Sequence, residues 1–94
     1  MKKYFIASLC KNGILGGGIS ADSEAVTFHT GKLSVPEAYR RIEIKYRDIG
    51  AVESGWMFIF PTVALKLRSG GEYRFVVFAR KQFANLLKEM GAGS

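Results

Sequence analysis

Apolar and polar positions alternate in two neighbouring stretches of the C-terminal half of the chain. Across residues 62–68, Val63, Leu65 and Leu67 fall on one face, and mostly polar or charged side chains fall on the other. This period of two predicts a strand with one side on a core and the other near water. Residues 72–78 alternate in the same way, and the Ser-Gly-Gly segment between the stretches can supply the positive φ angles of a tight turn. We therefore expect a β-hairpin here.

After residue 78 the apolar residues recur at helical spacing. They are Ala79, Phe83, Leu86, Leu87 and Met90. Charged and polar residues lie off this stripe, and Gly91 follows it as a residue past a helix C-terminus commonly does. Because so short a helix is only marginally stable alone, its stripe should pack on the preceding strands.

Further short apolar stretches in the rest of the chain also predict strands. They lie at residues 4–10, 14–21, 25–30, 41–47, 49–53 and 56–60. Ser54 and Gly55 predict a turn between the last two of these stretches. About six or seven short strands followed by one terminal helix predict a mainly-β fold.

The three glycines Gly16, Gly17 and Gly18 invite comparison with a phosphate-binding loop. Such a loop needs a helix N-terminus after it, with Lys and Ser or Thr at fixed places. Neither follows here, and the next stretch alternates as a strand does. We predict a strand whose glycines allow a bend or the close approach of another backbone.

The length and composition describe one domain. The 94 residues are 48% hydrophobic, which suffices for a core. We assign residues 1–90 to a single domain and residues 91–94 to a flexible tail or a cloning remnant. Cys10 is the single cysteine, so no internal disulfide can form. No apolar run is long enough for a transmembrane segment, and we expect a cytoplasmic protein, with peripheral attachment to a membrane left open.

Catalytic chemistry has little support in the sequence. His29 lacks a second histidine or nearby cysteine, Cys10 has no neighbouring base, and the carboxylates are scattered. We therefore predict no enzymatic activity, no catalytic residue, no cofactor and no metal site.

A surplus of basic residues raises the prospect of an anionic partner. The formal net charge is +6, from 14 basic and 8 acidic residues. The candidate contacts with an anion or lipid head group are Arg40, Arg41, Lys45, Arg47, Arg80 and Lys81. Arg80 and Lys81 oppose the dipole of the predicted helix at its start, a small cost that an anion would offset. Nucleic acid is not expected, because the aromatic residues do not interleave with these cations.

Five consecutive apolar residues, at positions 56–60, form the most unusual local pattern. Alternation cannot bury all five side chains, so some should lie on the outer face or at a hairpin tip. Trp56, Met57 and Phe58 are therefore candidate interaction residues. The alternatives are packing beneath the helix, self-association and insertion at a membrane interface.

The chain also resembles a known family over about residues 8–90. The matching residues are Gly17-Gly18-x-Ser20, Val26-x-Phe28, Asp48-Ile49, Val52-Glu53, Phe60-Pro61, Val63-x-Leu65-x-Leu67, Gly70/Gly71-x-Tyr73-x-Phe75-x-x-Phe78, and Phe83 with Leu86-Leu87. They are similar to the packing motifs of GRAM domains, which belong to the pleckstrin-homology-like superfold. The resemblance implies a small bent β-barrel of two near-orthogonal antiparallel sheets, capped by the C-terminal helix.

For function, the resemblance implies an interaction module. Membrane-associated eukaryotic GRAM domains bind phosphoinositides, other lipids or proteins, whereas this chain looks like the small stand-alone bacterial type. We expect a non-enzymatic module that binds protein, or itself, through a sheet edge or the region of residues 56–60. The alternative is binding of anionic lipid head groups through a basic face.

Overall fold

The computed structural model describes residues 3–10, 14–30 and 41–93. Its strands are β1 (Lys3–Cys10), β2 (Ile14–Ala21), β3 (Ala25–His29), β4 (Arg41–Lys45), β5 (Ile49–Met57), β6 (Phe60–Leu67) and β7 (Glu72–Val77). One turn of 3-10 helix, Tyr46–Asp48, joins β4 to β5, and helix α1 (Arg80–Glu89) follows β7. The prediction of a mainly-β chain with a C-terminal helix is confirmed. Within the described residues, no helix has the length and apolarity needed to cross a membrane.

All seven strands belong to one antiparallel sheet with the order β4-β3-β2-β1-β7-β6-β5. The edge strands β4 and β5 do not pair with each other, so the predicted closed barrel is wrong: the sheet is open. The reason lies in the turn between them. The Tyr46 N–H donates to the Glu24 carbonyl (3.1 Å), and the Arg68 N–H donates to the Asp48 carbonyl (2.8 Å). Other segments therefore hold this turn, and β4 and β5 leave it without forming a hairpin.

The open sheet is nonetheless strongly curved. Seven strands in a flat sheet would place β4 and β5 about 29 Å apart. The four residue steps from Lys45 to Ile49 can span at most about 15 Å. The sheet must therefore curl until its two edges approach each other at this corner, and its concave face encloses the core.

The core is built from the concave side of the strands and one face of α1. The largest fully buried side chains are Leu9, Ile19, Val26, Phe28, Ile49, Val63, Leu65, Phe75, Val77, Phe83 and Leu87. The predicted inward residues of β6 and β7 lie in or against this core, as do Phe83, Leu86 and Leu87 of the predicted helix stripe. Met90 of the stripe is exposed, and Thr62, Ala64 and Val76 on the outer faces of β6 and β7, expected near water, are buried as well. The rings of Phe5 and Phe83 meet edge to face, with centroids 5.0 Å apart, which fixes α1 against β1.

The glycine-rich segment forms strand β2, as predicted, and a strand follows it. Gly17 has a packing role there: a Cβ at this position would clash with the carbonyl oxygen of His29 and touch the ring of Phe28. A Cβ on Gly16 would meet no atom within 4 Å. The close approach of β2 and β3 therefore depends on one glycine of the three.

Two local features differ from the sequence pattern. The expected turn at Ser54 and Gly55 is absent, because β5 continues to Met57. After the helix, Ala92 is 9% exposed, and the Gly93 N–H donates to the Ile49 carbonyl (3.1 Å). Residues 91–93 therefore pack against the start of β5.

Candidate interaction site at the β5–β6 hairpin

The hairpin between β5 and β6 ends in a two-residue turn made of large apolar residues. Met57 and Phe60 face each other across the strands, which leaves Phe58 and Ile59 at the apex. Phe58 has a φ of 56°, and within the described ranges it is the one residue other than glycine with a positive φ. Tight hairpin turns need this geometry but normally place Gly or Asn there, because a bulky side chain is strained in it. The cost is on the order of 1–3 kcal/mol.

The apex side chains are turned almost entirely to the outside. Phe58 is 94% exposed and Ile59 is 82% exposed. Packing within the described residues therefore does little to offset the strain at Phe58. A strained, exposed aromatic residue is a reasonable starting point for a functional hypothesis.

Trp56 lies two residues before the apex and is held by the first residue of α1. The guanidinium carbon of Arg80 lies 4.6 Å from the centroid of the indole ring. Nη1 of Arg80 also donates to the carbonyl oxygen of Gly55 (2.6 Å). A cation over an indole ring contributes about 0.5–2 kcal/mol, so this pair fixes the ring while leaving 65% of Trp56 exposed.

A second aromatic pair lies on the opposite face of the hairpin from Trp56, because Phe60 pairs with Met57 whereas Trp56 pairs with Pro61. The rings of Phe60 and Phe78 meet edge to face with centroids 6.1 Å apart. Phe78 lies between β7 and α1 and is 62% exposed. We call the five large apolar residues at and beside the hairpin end the aromatic tip. They are Trp56, Phe58, Ile59, Phe60 and Phe78.

The three residues predicted for interaction all lie at the end of this hairpin. Trp56 and Phe58 are exposed, whereas Met57 is half-buried. The predicted region of residues 56–60 includes Ile59 and Phe60, although neither was singled out, and Phe78 was not predicted. Phe78 is contiguous with the tip only through the fold, so no local pattern identifies it.

The structure divides the predicted anion contacts into two groups. Arg40 lies outside the described residues. The residues Arg41, Lys45 and Arg47 lie on β4 and the turn after it. Arg80 and Lys81 lie at the start of α1, where Arg80 touches Gly55. Gly55 is six residues along β5 from Ile49, about 20 Å from the end of that turn, so the two groups do not form one continuous basic face.

The perturbed titratable groups lie away from the aromatic tip. Burial raises the pKa of Tyr46 to about 12, and the negative charge of Asp22 adds to the effect. The Tyr46 hydroxyl donates to the Asp22 carbonyl oxygen (2.7 Å), which links the β4–β5 turn to the β2–β3 turn. Burial also raises the pKa of the Cys10 thiol. Among the described residues, no three His, Cys, Asp or Glu side chains lie close enough to hold a metal ion.

Comparison with known proteins adds information on the fold. No protein-family model and no curated protein matches the sequence. A solved structure, described as the C-terminal domain of an unknown protein from Leishmania infantum, is similar to this chain with a TM-score of 0.78 and 12% sequence identity. The match covers 94% of this chain and 80% of that one. At such low identity the likeness shows a shared fold alone.

Proposed function

We propose that this chain is a non-enzymatic interaction module that binds a protein partner through the aromatic tip. The observation that carries the proposal is the apex of the β5–β6 hairpin, where Phe58 is 94% exposed in a strained conformation. Burying Phe58 and Ile59 against a partner would contribute about 1.5–3 kcal/mol each. The fold supplies both side chains at the end of a rigid two-stranded projection.

The Trp56–Arg80 pair supports a protein partner in particular. Interface hot spots are enriched in Trp and Arg, and they bind best when they are held in place before contact. Arg80 already contacts the indole ring and the carbonyl oxygen of Gly55, so little side-chain freedom is lost on binding. A partner with an apolar pocket for Phe58 would fit this arrangement.

We also propose that the fold is pleckstrin-homology-like and that the chain is a GRAM domain of the small bacterial type. The strand order supports the fold, because a seven-stranded sheet curls round its core and one C-terminal helix packs on it. The residue pattern shared with GRAM domains supports the family.

An anionic lipid surface is the second candidate partner. The aromatic tip is convex, and Trp with Phe and Ile beside cations is a combination that inserts at membrane interfaces. Arg80 and Lys81 lie next to it at the start of α1. The remaining candidate cations lie about 20 Å away along β5, and for this reason we place the lipid surface second.

Variants of Phe58 test the proposal. Phe58→Asp places a charge at the apex, and Phe58→Gly removes the ring while relieving the positive φ. Ile14→Asp is the matched control, because Ile14 is 56% exposed at the start of β2, where it pairs with Cys10 away from the tip. We expect affinity capture with the wild type and Ile14→Asp to retain one partner that both Phe58 variants lose, by at least tenfold in recovered amount.

Sedimentation with vesicles of phosphatidylcholine and phosphatidylserine separates the two candidates. If the wild type sediments with the acidic vesicles and Phe58→Asp does not, the partner is a lipid surface. Equal capture of every partner by the wild type and Phe58→Asp would refute a role for the tip. Sedimentation velocity of the wild type over a range of concentrations identifies self-association, in which a second copy is the partner.

A further inference from the structure

The two edges of the sheet differ in how they are protected from further strands. Strand β4 is short, and charged side chains alternate along it at Arg41, Glu43 and Lys45. Short length and charge are common means of keeping an edge unpaired. Strand β5 has nine residues and contains neither Pro nor a basic residue. Its one charged side chain, Glu53, is 3.3 Å from Lys66 of β6.

The register shows which backbone groups of β5 point outward. Trp56 faces Pro61, and proline has no N–H, so this pair cannot exchange two hydrogen bonds. Paired positions alternate between bonded and non-bonded in an antiparallel ladder. Val52, Ser54 and Trp56 are therefore the non-bonded positions, and their N–H and C=O groups point away from β6. In the described part of the chain, no strand pairs with this edge.

A groove of about 300 Å³ runs beside these backbone groups, between β5 and α1. Val52 and Ser54 line one side, Ala84 and Lys88 contribute to the side formed by α1, and Ala92 and Gly93 also line the groove. Gly93 lies beside the backbone nitrogen of Val52, so the room for an added strand is next to Ser54 and the small side chain of Ala84. The volume is at the lower end for ligand pockets and suits one or two side chains of a peptide.

Two cations of α1 lie along this groove. Lys88 lines it, and Arg80 lies outside its lining, where it donates to the carbonyl oxygen of Gly55. Arg80, Ala84 and Lys88 follow one another at intervals of four residues, so they share one face of α1. The eight residue steps from Arg80 to Lys88 rise about 12 Å. In an extended chain, residues i and i+4 lie on the same face about 13 Å apart, so the spacings match.

We propose that the free edge of β5 binds an extended acidic segment of a partner protein as an eighth strand, with acidic residues at i and i+4. The residue at i+2 would then lie over Ala84. Main-chain hydrogen bonds to Ser54 and Trp56 supply the pairing, as in strand addition generally, and Gly93 beside the Val52 nitrogen bounds the site. The site adjoins the aromatic tip at Trp56 but uses backbone groups and α1, and it goes beyond the proposed function.

Charge argues for a partner segment over a second copy of this chain. Two β5 edges paired about a twofold axis would bring two α1 helices to the same interface. Each α1 carries Arg80, Lys81 and Lys88 against Glu89 alone. Like charges across such an interface oppose pairing, whereas an acidic strand neutralises Arg80 and Lys88.

Fluorescence anisotropy with short labelled peptides tests the site. The probe is a peptide with the core Glu-Thr-Val-Thr-Glu, and its control has Lys at both Glu positions. Two further peptides carry N-methyl groups on alternate amides. One is methylated on the odd-numbered residues and the other on the even-numbered residues. We expect the Glu peptide to bind at least tenfold more tightly than the Lys peptide. One of the methylated peptides should lose binding and the other should retain it, because only one set of amides faces β5.

Two protein variants locate the binding site. Ser54→Pro removes an outward N–H without disturbing the pairing with β6, and it should weaken binding about five- to tenfold, as expected for a lost hydrogen bond and a steric block. Lys88→Glu should weaken binding of the Glu peptide and strengthen binding of the Lys peptide. Because Lys88 is exposed, Lys88→Glu should fold normally, and it tests the site even if Ser54→Pro does not fold.

Several outcomes would overturn the proposal. These are the absence of binding of the Glu peptide at any soluble concentration, equal binding of both methylated peptides, and unchanged peptide preference in Lys88→Glu. A wild type that dimerises, together with a monomeric Ser54→Pro, would assign the edge to a second copy and would also refute a partner segment.

Discussion

At the scale of single residues, Tyr46 shows how one side chain can join distant turns. It is buried, its hydroxyl donates to the Asp22 carbonyl oxygen, and its N–H donates to the carbonyl of Glu24. The side chain of Asp22 in turn accepts from the N–H groups of Glu24 and Ala25 (2.8 and 2.9 Å). The corner at which β4 and β5 approach each other therefore depends on this tyrosine.

The raised pKa of Tyr46 predicts a loss of stability at high pH. The folded-state pKa of about 12 exceeds the ordinary value of 10.0, so the folded state holds the phenolic proton more tightly than the unfolded state. The resulting stabilisation is fully present below pH 10 and is lost as the pH rises towards about 12. We expect the free energy of unfolding, measured with urea between pH 9 and about 12, to fall more steeply for the wild type than for Tyr46→Phe.

Tyr46→Phe itself should cost about 1 kcal/mol at neutral pH, because it removes one hydrogen bond. The difference between the two proteins isolates the contribution of Tyr46. Parallel pH profiles for the two proteins would contradict the assignment.

At the scale of elements, the pairing of β2 with β3 depends on Gly17. Gly18 pairs with His29 across these strands, and the carbonyl of His29 occupies the space that a Cβ on Gly17 would need. The obstructing atom belongs to a backbone, which can move only if the strands separate. Gly16 is the adjacent residue of the same strand, but it has open space around it.

Gly17→Ala and Gly16→Ala therefore form a matched pair. Gly17→Ala should lower the free energy of unfolding by about 2–3 kcal/mol, as overpacking does. Gly16→Ala should change it by less than about 0.5 kcal/mol. Urea denaturation of both variants provides the measurement. An equal effect of the two substitutions would show that strand propensity, and not the space available for a Cβ, determines the change in the free energy of unfolding.

The elements also show what sequence patterns can and cannot predict. Alternation identified the inward faces of β6 and β7, but it did not predict that Thr62, Ala64 and Val76 on their outer faces are buried as well. The β5–β6 turn was misplaced at Ser54 and Gly55, because glycine is the usual source of a positive φ and Phe58 supplies it instead. The chemistry of a local segment favours a turn, but the pairing of whole strands decides its position.

The candidate site depended even more on contacts between distant parts of the chain. Arg80 was predicted as an anion contact, but its guanidinium lies over Trp56, far away in sequence. Only the docking of α1 beside β5 brings the two together. For the same reason, the resemblance to GRAM domains implied a barrel, but the sequence could not show that the β4–β5 turn would be held by other segments and leave the sheet open.

At the scale of the whole molecule, α1 completes the core. Phe83 and Leu87 are fully buried, and Leu86 is nearly so. They fill the concave side of a sheet whose edges are not joined by hydrogen bonds. Strand curvature alone would leave this side open to water.

Truncation at two points should separate the helix from the residues after it. A chain ending at residue 78 loses three buried side chains, about 1.5–3 kcal/mol each. Since domains are stable by only about 5–15 kcal/mol in total, we expect no cooperative thermal unfolding by circular dichroism. A chain ending at residue 90 keeps α1 and loses the bond from Gly93 to Ile49, for a cost of about 1 kcal/mol. A cooperative transition in the shorter chain would contradict this role of α1.

The central position of β1 has a consequence for how the molecule forms. Strand β1 pairs with β2 on one side and with β7 on the other, and Ala7 lies opposite Val77, about 70 residues later in the chain. High contact order of this kind slows folding. During translation, β1 to β4 can assemble early, but β1 keeps one unpaired side until β7 has left the ribosome. The nascent chain therefore exposes an unpaired edge of β1 until residues 72–77 have emerged and pair with it.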